Sequence, residues 1–135
     1  MILEEKSVPG SAGPVVLIVE DELVTRFDIG DAMAEKGYAP FEAATVAEAL
    51  QSLRFGSVDV ALLDVELKGE NVLPVVEVLK GYGIPYAFFT GMAPDQLETL
   101  GIRGQVFEKP LPAESLATCF HDWVSELMVS AEKRA

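Results

Sequence analysis

The sequence predicts an α/β fold with a single, doubly wound, five-stranded parallel sheet. Short apolar runs alternate with helix-like segments along the chain, which is the order expected of βα units. The runs are almost continuously apolar, as in parallel strands that are buried on both faces. A length of 135 residues, 50% of them hydrophobic, fits one domain with a substantial core.

Five apolar runs account for the predicted strands. Runs such as Val15–Val19 and Tyr86–Phe89 have the length and composition of buried strands, whereas the second strand is weakly marked. The predicted strands are, in chain order, 15–19, 39–43, 58–63, 85–89 and 104–108.

A helix follows each strand, and standard start and stop signals mark several helix ends. Gly37 and Gly101 end the first and fourth helices, and Thr45 can cap the second. Pro74 falls in the first turn of the third helix, where proline is tolerated. The predicted helices are 23–36, 46–55, 72–82, 94–100 and 113–129, and the segment 65–71 is predicted as a loop.

The last predicted helix carries an apolar stripe with helical periodicity. We expect this stripe to pack on the core, and we expect His121 and Cys119, which stand apart from it, to be structural or surface residues. The stripe consists of Leu116, Phe120, Trp123, Val124 and Leu127.

The alternating units span residues 15–128, which we predict to be one domain. Proline, glycine and small residues fill positions 9–14, so residues 1–14 are expected to form a flexible arm. Residues 129–135 form a short tail. No apolar stretch is long enough to span a bilayer, and acids near the N-terminus argue against a secretory signal.

The net charge of −12 argues against a nucleic-acid partner bound through this domain. Its main effect is solubility, although acids gathered at one site would also hold a divalent cation. Cys119 is the only cysteine in the sequence, which excludes an internal disulfide and argues against zinc bound by thiolates. These features fit a reducing cytoplasm.

Polar side chains follow the ends of four predicted strands. In open parallel sheets, ligands bind outside the carboxyl ends of the strands, so these side chains are expected to form one site. They are Glu20 and Asp21 after the first strand, Asp64 after the third, Thr90 after the fourth and Lys109 after the fifth.

A cluster of Glu20, Asp21 and Asp64 would suit a magnesium ion. Two carboxylates ~4 Å apart repel by about 4 kcal/mol at an effective dielectric near 20, which a bound cation relieves. Mg²⁺ prefers oxygen ligands and recruits phosphoryl oxygens, and a lysine and a hydroxyl can bind the same group. Taken singly, each residue could instead be a solvated loop residue or a helix cap.

Four segments together resemble the receiver domains of two-component response regulators, whose fold is the flavodoxin/CheY-like (βα)5 sheet. Their order and spacing also match, and the resemblance covers residues 15–128. The segments are Val16–Glu22, Ala61–Val65, Phe89–Gly91 and Phe107–Pro110.

The resemblance implies a role for each matching residue. Asp64 would be the phosphoacceptor. Asp21 would bind Mg²⁺ directly, Glu20 would bind it through water, and the backbone carbonyl of Glu66 would be a further ligand.

The resemblance also implies the residues that receive the phosphoryl group. Thr90 and Lys109 would bind it, Gly91 would leave the site open, and the Lys109–Pro110 peptide bond would be cis. The run 88–92 is similar to a Phe-Ala-Thr-Gly pattern of mostly single-domain alphaproteobacterial regulators, with Phe89 in place of the alanine.

Two positions depart from the wider family. Val106 occupies the place of the usual aromatic switch residue, and Phe107 cannot replace it because neighbouring strand residues point to opposite faces. Glu66 stands where many relatives carry asparagine, and we hypothesise that it changes the dephosphorylation rate. A Glu66→Asn variant with an unchanged rate would remove that hypothesis.

The first helix is predicted to provide a docking surface for a histidine kinase or a phosphotransfer helix, the alternative being that Phe27 belongs to the core. Aligned to the family, Ile29, Ala32 and Met33 face the sheet. The residues expected on the opposite, solvent-facing side are Leu23, Phe27, Gly30 and Ala34.

The implied function is that of a single-domain response regulator. It would accept phosphate on Asp64 from a histidine kinase or phosphotransfer protein, then signal through protein contacts or drain phosphate from the kinase. It is not expected to turn over a separate substrate as an enzyme. The alternatives are a receiver-like binding module that is never phosphorylated and a small Mg²⁺-dependent phosphatase of the haloacid dehalogenase type.

Overall fold

The computed structural model describes residues 13–134, so residues 1–12 of the predicted arm lie outside the described part of the chain. Within it, the sheet of five parallel strands that the sequence predicts is confirmed. The strands are β1 (Val15–Val19), β2 (Ala39–Ala43), β3 (Val60–Leu63), β4 (Glu66–Leu67), β5 (Glu70–Asn71), β6 (Tyr86–Thr90) and β7 (Gln105–Glu108). The helices are α1 (Leu23–Glu35), α2 (Val46–Phe55), α3 (Leu73–Tyr82), α4 (Pro94–Thr99) and α5 (Ala113–Arg134).

The main sheet has the strand order β2-β1-β3-β6-β7. From β1 the chain first moves outward to β2 and then crosses back to β3 on the other side of β1. The point at which the order reverses therefore lies between β1 and β3, where ligands bind in folds of this kind.

Alternate residues of each strand pack into two cores, one on each face of the sheet. Leu17, Leu63 and Phe88 belong to the core under α2, α3 and α4, and Ile18 and Leu62 belong to the core under α1 and α5. The continuous apolar runs of the sequence therefore reflect burial on both sides.

The helix signals read from the sequence match the structure closely. The Thr45 side chain accepts a hydrogen bond of 3.1 Å from the Glu48 backbone N–H, as expected of an N-cap. In the α5 stripe, Leu116 and Phe120 are fully buried and Trp123 packs at their edge. The helix continues to Arg134, beyond the predicted end at residue 129.

The segment predicted as a loop between β3 and α3 contains a hairpin of β4 and β5. Leu67 pairs with Glu70 across a two-residue turn, Lys68-Gly69, in which both residues have positive φ (42° and 89°). Such a turn joins antiparallel strands tightly. The hairpin therefore fixes the backbone that follows Asp64 instead of leaving it irregular.

One polar residue in the first half of α5 contacts the connection between α1 and β2. The hydroxyl of the buried Tyr38 lies 2.9 Å from Nδ1 of His121, and Cys119 is exposed. Both α5 residues thus have the structural or surface character that the sequence predicts. Among the described residues, no helix is both long enough and apolar enough to cross a membrane.

Candidate functional site

The carboxyl ends of β1, β3, β6 and β7 bring the predicted site residues to one edge of the sheet. The backbone N–H of Asp64 donates to the carbonyl of Val19 at 2.8 Å, which aligns the ends of β1 and β3. The N–H of Lys109 donates to the carbonyl of Thr90 at 2.9 Å, which aligns β6 with the residue that follows β7. Regular sheet bonding thus positions the functional side chains.

Three carboxylates converge at this edge. One oxygen each from Glu20, Asp21 and Asp64 lies within 4.8 Å of the other two. The Lys109 ammonium donates to Glu20 Oε1 at 3.1 Å and to Asp64 Oδ2 at 3.3 Å. Three acids face one lysine, so the ionised cluster keeps a surplus of negative charge.

Burial changes the protonation of this cluster. Burial raises the pKa of both Glu20 and Asp64, although the nearby Lys109 opposes the rise in each case. Burial also acts to lower the pKa of Lys109, but the charges of Asp64 and Glu20 outweigh it and raise that pKa. The carboxylates lie close together and Lys109 neutralises only part of their charge. They are therefore a set of oxygen ligands that fits a divalent cation.

An open cleft of about 430 Å³ lies over Asp64. Thr90 is buried at its wall, and its Oγ1 accepts a 3.1 Å hydrogen bond from the Met92 backbone N–H, so the hydroxyl hydrogen remains free to donate. A Cβ added to Gly91 would meet only Lys109 Cβ, at 3.8 Å, which agrees with an open site. The cleft is lined by Asp64, Glu66, Thr90, Gly91, Met92, Gln96 and Lys109.

The β4–β5 hairpin places Glu66 at the rim of this cleft. Its side chain is exposed, and its backbone pairs with Asn71. The Val72 N–H donates to the carbonyl of Val65 at 3.1 Å, and the Glu70 carboxylate accepts from the Val46 N–H at 3.3 Å. The hairpin is therefore tied both to its own base and to the first turn of α2.

Val106 and Phe89, which both differ from the residues usual in similar receiver domains, have simple packing consequences. Val106 packs into the core under α2, α3 and α4, whereas Phe107 points to the other face, 6.4 Å from Phe120 between ring centroids. The Phe89 ring lies 5.2 Å from the Lys109 ammonium, a distance at which a cation and an aromatic face attract. The Lys109–Pro110 peptide bond is cis.

The predicted docking residues divide into two groups. Leu23 and Phe27 are 65% and 57% exposed, and Ala34 is also exposed. The prediction that Gly30 faces solvent is wrong, because Gly30 is buried and a Cβ there would lie 2.7 Å from Glu42 Oε2. The three residues predicted to face the sheet, Ile29, Ala32 and Met33, are buried.

Sequence reasoning missed two residues next to the site. The Arg26 guanidinium donates from Nη1 to the backbone carbonyl of Glu20 at 2.9 Å and from Nε to Glu42 at 3.3 Å. Gln96 lines the cleft from the first turn of α4, where its Oε1 accepts from the Ala93 N–H. The sequence offered no signal for either, because neither belongs to a strand end.

Comparison with known proteins supports the same interpretation. The chain matches no family model. It is 31% identical over 130 residues to the aerobic respiration control protein ArcA of Escherichia coli K12, a match that covers 90% of this chain. The chain spans 55% of the length of that relative.

Solved structures of receiver proteins share the fold. A CheY-like response regulator receiver domain protein from Methanospirillum hungatei JF-1 superposes with a TM-score of 0.72 at 20% identity, covering 90% of this chain and 98% of that one. The chemotaxis response regulator CheY4 of Vibrio cholerae gives 0.70 at 21% identity, covering 81% and 97%. The chain has the fold of the response regulator receiver domains, and its sequence relationship to ArcA supports the same family.

Proposed function

We propose that this receiver domain accepts a phosphoryl group on Asp64 from a phosphohistidine of a sensor kinase or a histidine phosphotransfer protein. The observation that carries the proposal is the position of Lys109, whose ammonium bridges Glu20 and Asp64 inside the acidic cluster. A lysine in this position can balance charge on Asp64 before transfer and on a phosphoryl group afterwards.

The acidic cluster is proposed to bind Mg²⁺. Asp21 and Asp64 would hold the ion directly, Glu20 through water, and Glu66 through its backbone carbonyl. The three side-chain oxygens that lie within 4.8 Å of one another support this assignment. When bound, the ion would neutralise part of the charge on phosphoryl oxygens.

Transfer requires Asp64 to be ionised and exposed to the donor. An Asp64 carboxylate oxygen attacks phosphorus, a P–O bond forms as the P–N bond to the donor imidazole breaks, and that imidazole nitrogen retains the electron pair. The Asp64 side chain is 11% exposed at the floor of an open cleft, which leaves a path for an incoming group.

Thr90 and Lys109 then bind the phosphoryl oxygens. Thr90 and Lys109 both line the cleft that contains Asp64, so a hydroxyl and an ammonium are available there as donors. Phosphorylation adds roughly −1.5 to −2 charges, which shifts a two-state equilibrium near β6 and β7. Because Val106 replaces an aromatic residue, this shift does not depend on an aromatic rotamer switch.

The output of the domain is proposed to be a protein contact or the removal of phosphate from a kinase. Leu23 and Phe27 are exposed on α1, the helix that begins two residues after Asp21, and they suit docking of the phosphodonor. Hydrolysis of the acyl phosphate releases inorganic phosphate and restores Asp64, so the only compound consumed is the phosphodonor and no conversion of a separate substrate is expected.

Intact-mass measurement after incubation with a small phosphodonor and Mg²⁺ tests the proposal. The wild-type chain is expected to gain the mass of one phosphoryl group, whereas Asp64→Ala gains none. Asp122→Asn, which changes an exposed acid of α5, is the matched control and should label like the wild type.

Two results would contradict the proposal, and a third would favour an alternative. Labelling of Asp64→Ala at the wild-type level would place the acceptor elsewhere. Labelling of the wild type that is unaffected by removing all divalent cations would exclude the metal-dependent route. Multiple turnovers of a small phosphate ester would instead favour the phosphatase alternative.

A further inference from the structure

The geometry points to Arg26 and Glu42 as positioning residues for the metal site, acting through the backbone of Glu20. This inference rests on the proposed function, since it assigns these residues a part in Mg²⁺ binding. Neither residue touches the cleft, and neither belongs to the segments that carry the resemblance to receiver domains.

Arg26 connects α1 to the end of β1. Its side chain is only 14% exposed, and its Nη1 donates to the Glu20 carbonyl at 2.9 Å. A buried carbonyl without a partner is unfavourable, so this hydrogen bond fixes the orientation of the peptide that links Glu20 to Asp21. Two of the proposed metal ligands therefore depend on the position of one guanidinium.

Every polar group of Glu20, in its backbone and in its side chain, makes a hydrogen bond. Its backbone N–H donates to the Ala43 carbonyl at 3.0 Å, and its carboxylate accepts from the Glu22 N–H at 3.1 Å and from Lys109. The Arg26 contact holds the remaining polar group, the carbonyl. Loss of the Arg26 contact would allow the peptide between Glu20 and Asp21 to rotate, while the Glu20 carboxylate could still accept its hydrogen bonds from Glu22 and Lys109.

Glu42 sets the position of Arg26. Its Oε1 accepts from Arg26 Nε at 3.3 Å, across 16 positions of sequence and from the edge strand β2 to α1. An arginine held at two separate acceptors has little rotational freedom, and a lysine could not make both bonds in the same way.

Gly30 provides independent support for this arrangement. Glycine inside a helix is destabilising by about 1 kcal/mol relative to alanine, so its place in the middle of α1 needs a reason. A Cβ at Gly30 would lie 2.7 Å from Glu42 Oε2. The glycine thus leaves space for the Glu42 carboxylate to reach Arg26.

Calorimetric titration of the full chain with Mg²⁺ measures the effect directly, without phosphorylation. We expect Arg26→Ala to weaken Mg²⁺ binding about tenfold, as is typical for the loss of a residue that orients a metal ligand. Glu42→Gln should weaken it less, Arg26→Lys should be intermediate, and the double variant should be no weaker than Arg26→Ala alone, because both changes break one connection.

Labelling by a small phosphodonor provides a second measurement that general loss of stability would not reproduce. The Mg²⁺ concentration for half-maximal labelling should rise in parallel with the dissociation constant, while the rate at saturating Mg²⁺ stays within about twofold of the wild type. Arg54→Ala, which removes an exposed arginine from α2, is the matched control and should leave both quantities unchanged.

Wild-type Mg²⁺ affinity in folded Arg26→Ala and Glu42→Gln would overturn the inference while the proposed function stands. Equal weakening by Arg54→Ala would overturn it as well, because the effect would then be one of overall charge. If Arg26→Ala does not fold, Arg26→Lys and Glu42→Gln decide the question. A wild-type chain that binds no Mg²⁺ would overturn both proposals.

Discussion

The acidic cluster makes the stability of the metal-free domain depend on pH in a definite direction. Burial raises the pKa of Glu20 and Asp64 above the values these groups have in an unfolded chain. The folded chain then binds more protons than the unfolded chain. The free energy of unfolding therefore decreases as pH rises from the ordinary carboxyl range through the raised pKa values.

Replacing Asp64 by asparagine should reverse part of this loss. Asp64→Asn keeps an acceptor for Lys109 but removes one of three clustered negative charges, so we expect the metal-free variant to be more stable than the wild type by about 1 kcal/mol at neutral pH. Urea denaturation in EDTA from pH 4 to 8 measures the difference, which should shrink as the pH falls.

In the presence of Mg²⁺ the wild type should be more stable than Asp64→Asn, the reverse of the order expected without metal. A ligand that binds only the folded chain stabilises it by about 2.7 kcal/mol at a hundred times its dissociation constant, and Asp64→Asn lacks one ligand. The control Asp122→Asn should follow the wild type with and without metal. A wild type whose stability is the same in Mg²⁺ and in EDTA would contradict a metal role for the cluster.

At the level of secondary-structure elements, the edge strand β2 is protected from pairing with other chains. The Ala39 N–H donates to Pro14, and the Ala43 carbonyl accepts from Glu20, so these residues direct their backbone groups toward β1. Pro40 and Glu42 alternate with these residues along the strand, so their backbone groups face the open edge of the sheet. Proline has no N–H to donate, which makes this edge a poor template for a further strand.

The turn of the β4–β5 hairpin allows a prediction about the stability of a single element. Lys68 has φ of 42° and Gly69 has φ of 89°, a conformation that asparagine and glycine adopt more readily than lysine or alanine. Lys68→Asn should raise the free energy of unfolding by about 0.5 kcal/mol, and Gly69→Ala should lower it by about 1 kcal/mol.

Chemical denaturation of the two hairpin variants measures these changes. A Cβ at Gly69 would meet nothing within 4 Å, so any loss reflects backbone strain rather than a clash. Gly81→Ala, at a helical position that is equally open and has no positive φ, is the matched control and should not destabilise the domain. An unchanged stability of Gly69→Ala would mean that the turn relaxes without cost.

For the whole molecule, sequence patterns predict the topology and the main site, but they do not predict the contacts between residues that are distant in the sequence. The strands of the main sheet and all five helices follow from local apolar runs and end signals, and the strand ends indicate where Asp64 and Lys109 meet. The hairpin was missed because Lys-Gly is a weak turn signal. Gly30 was misplaced because its burial depends on Glu42, a contact that no local periodicity encodes.

The exposed face of α1 gives a prediction for the assembled signalling complex. Phe27 is 57% exposed on α1, whereas Phe55, on α2, is 76% exposed and serves as a matched aromatic control. If a phosphodonor protein docks on α1, Phe27→Ala should slow transfer from a phosphorylated histidine kinase by about tenfold, the loss expected for a central aromatic contact.

Labelling by a small phosphodonor separates docking from chemistry in the same variants. Phe27→Ala should react with it at the wild-type rate, because the small donor needs only the cleft over Asp64, and Phe55→Ala should match the wild type with both donors. Equal slowing with both donors would mean that Phe27 supports the site itself. If Phe27→Ala receives phosphate from the kinase at the wild-type rate, Phe27 contributes nothing to the complex. The docking surface would then lie away from α1, because truncating an aromatic residue at the centre of an interface weakens binding.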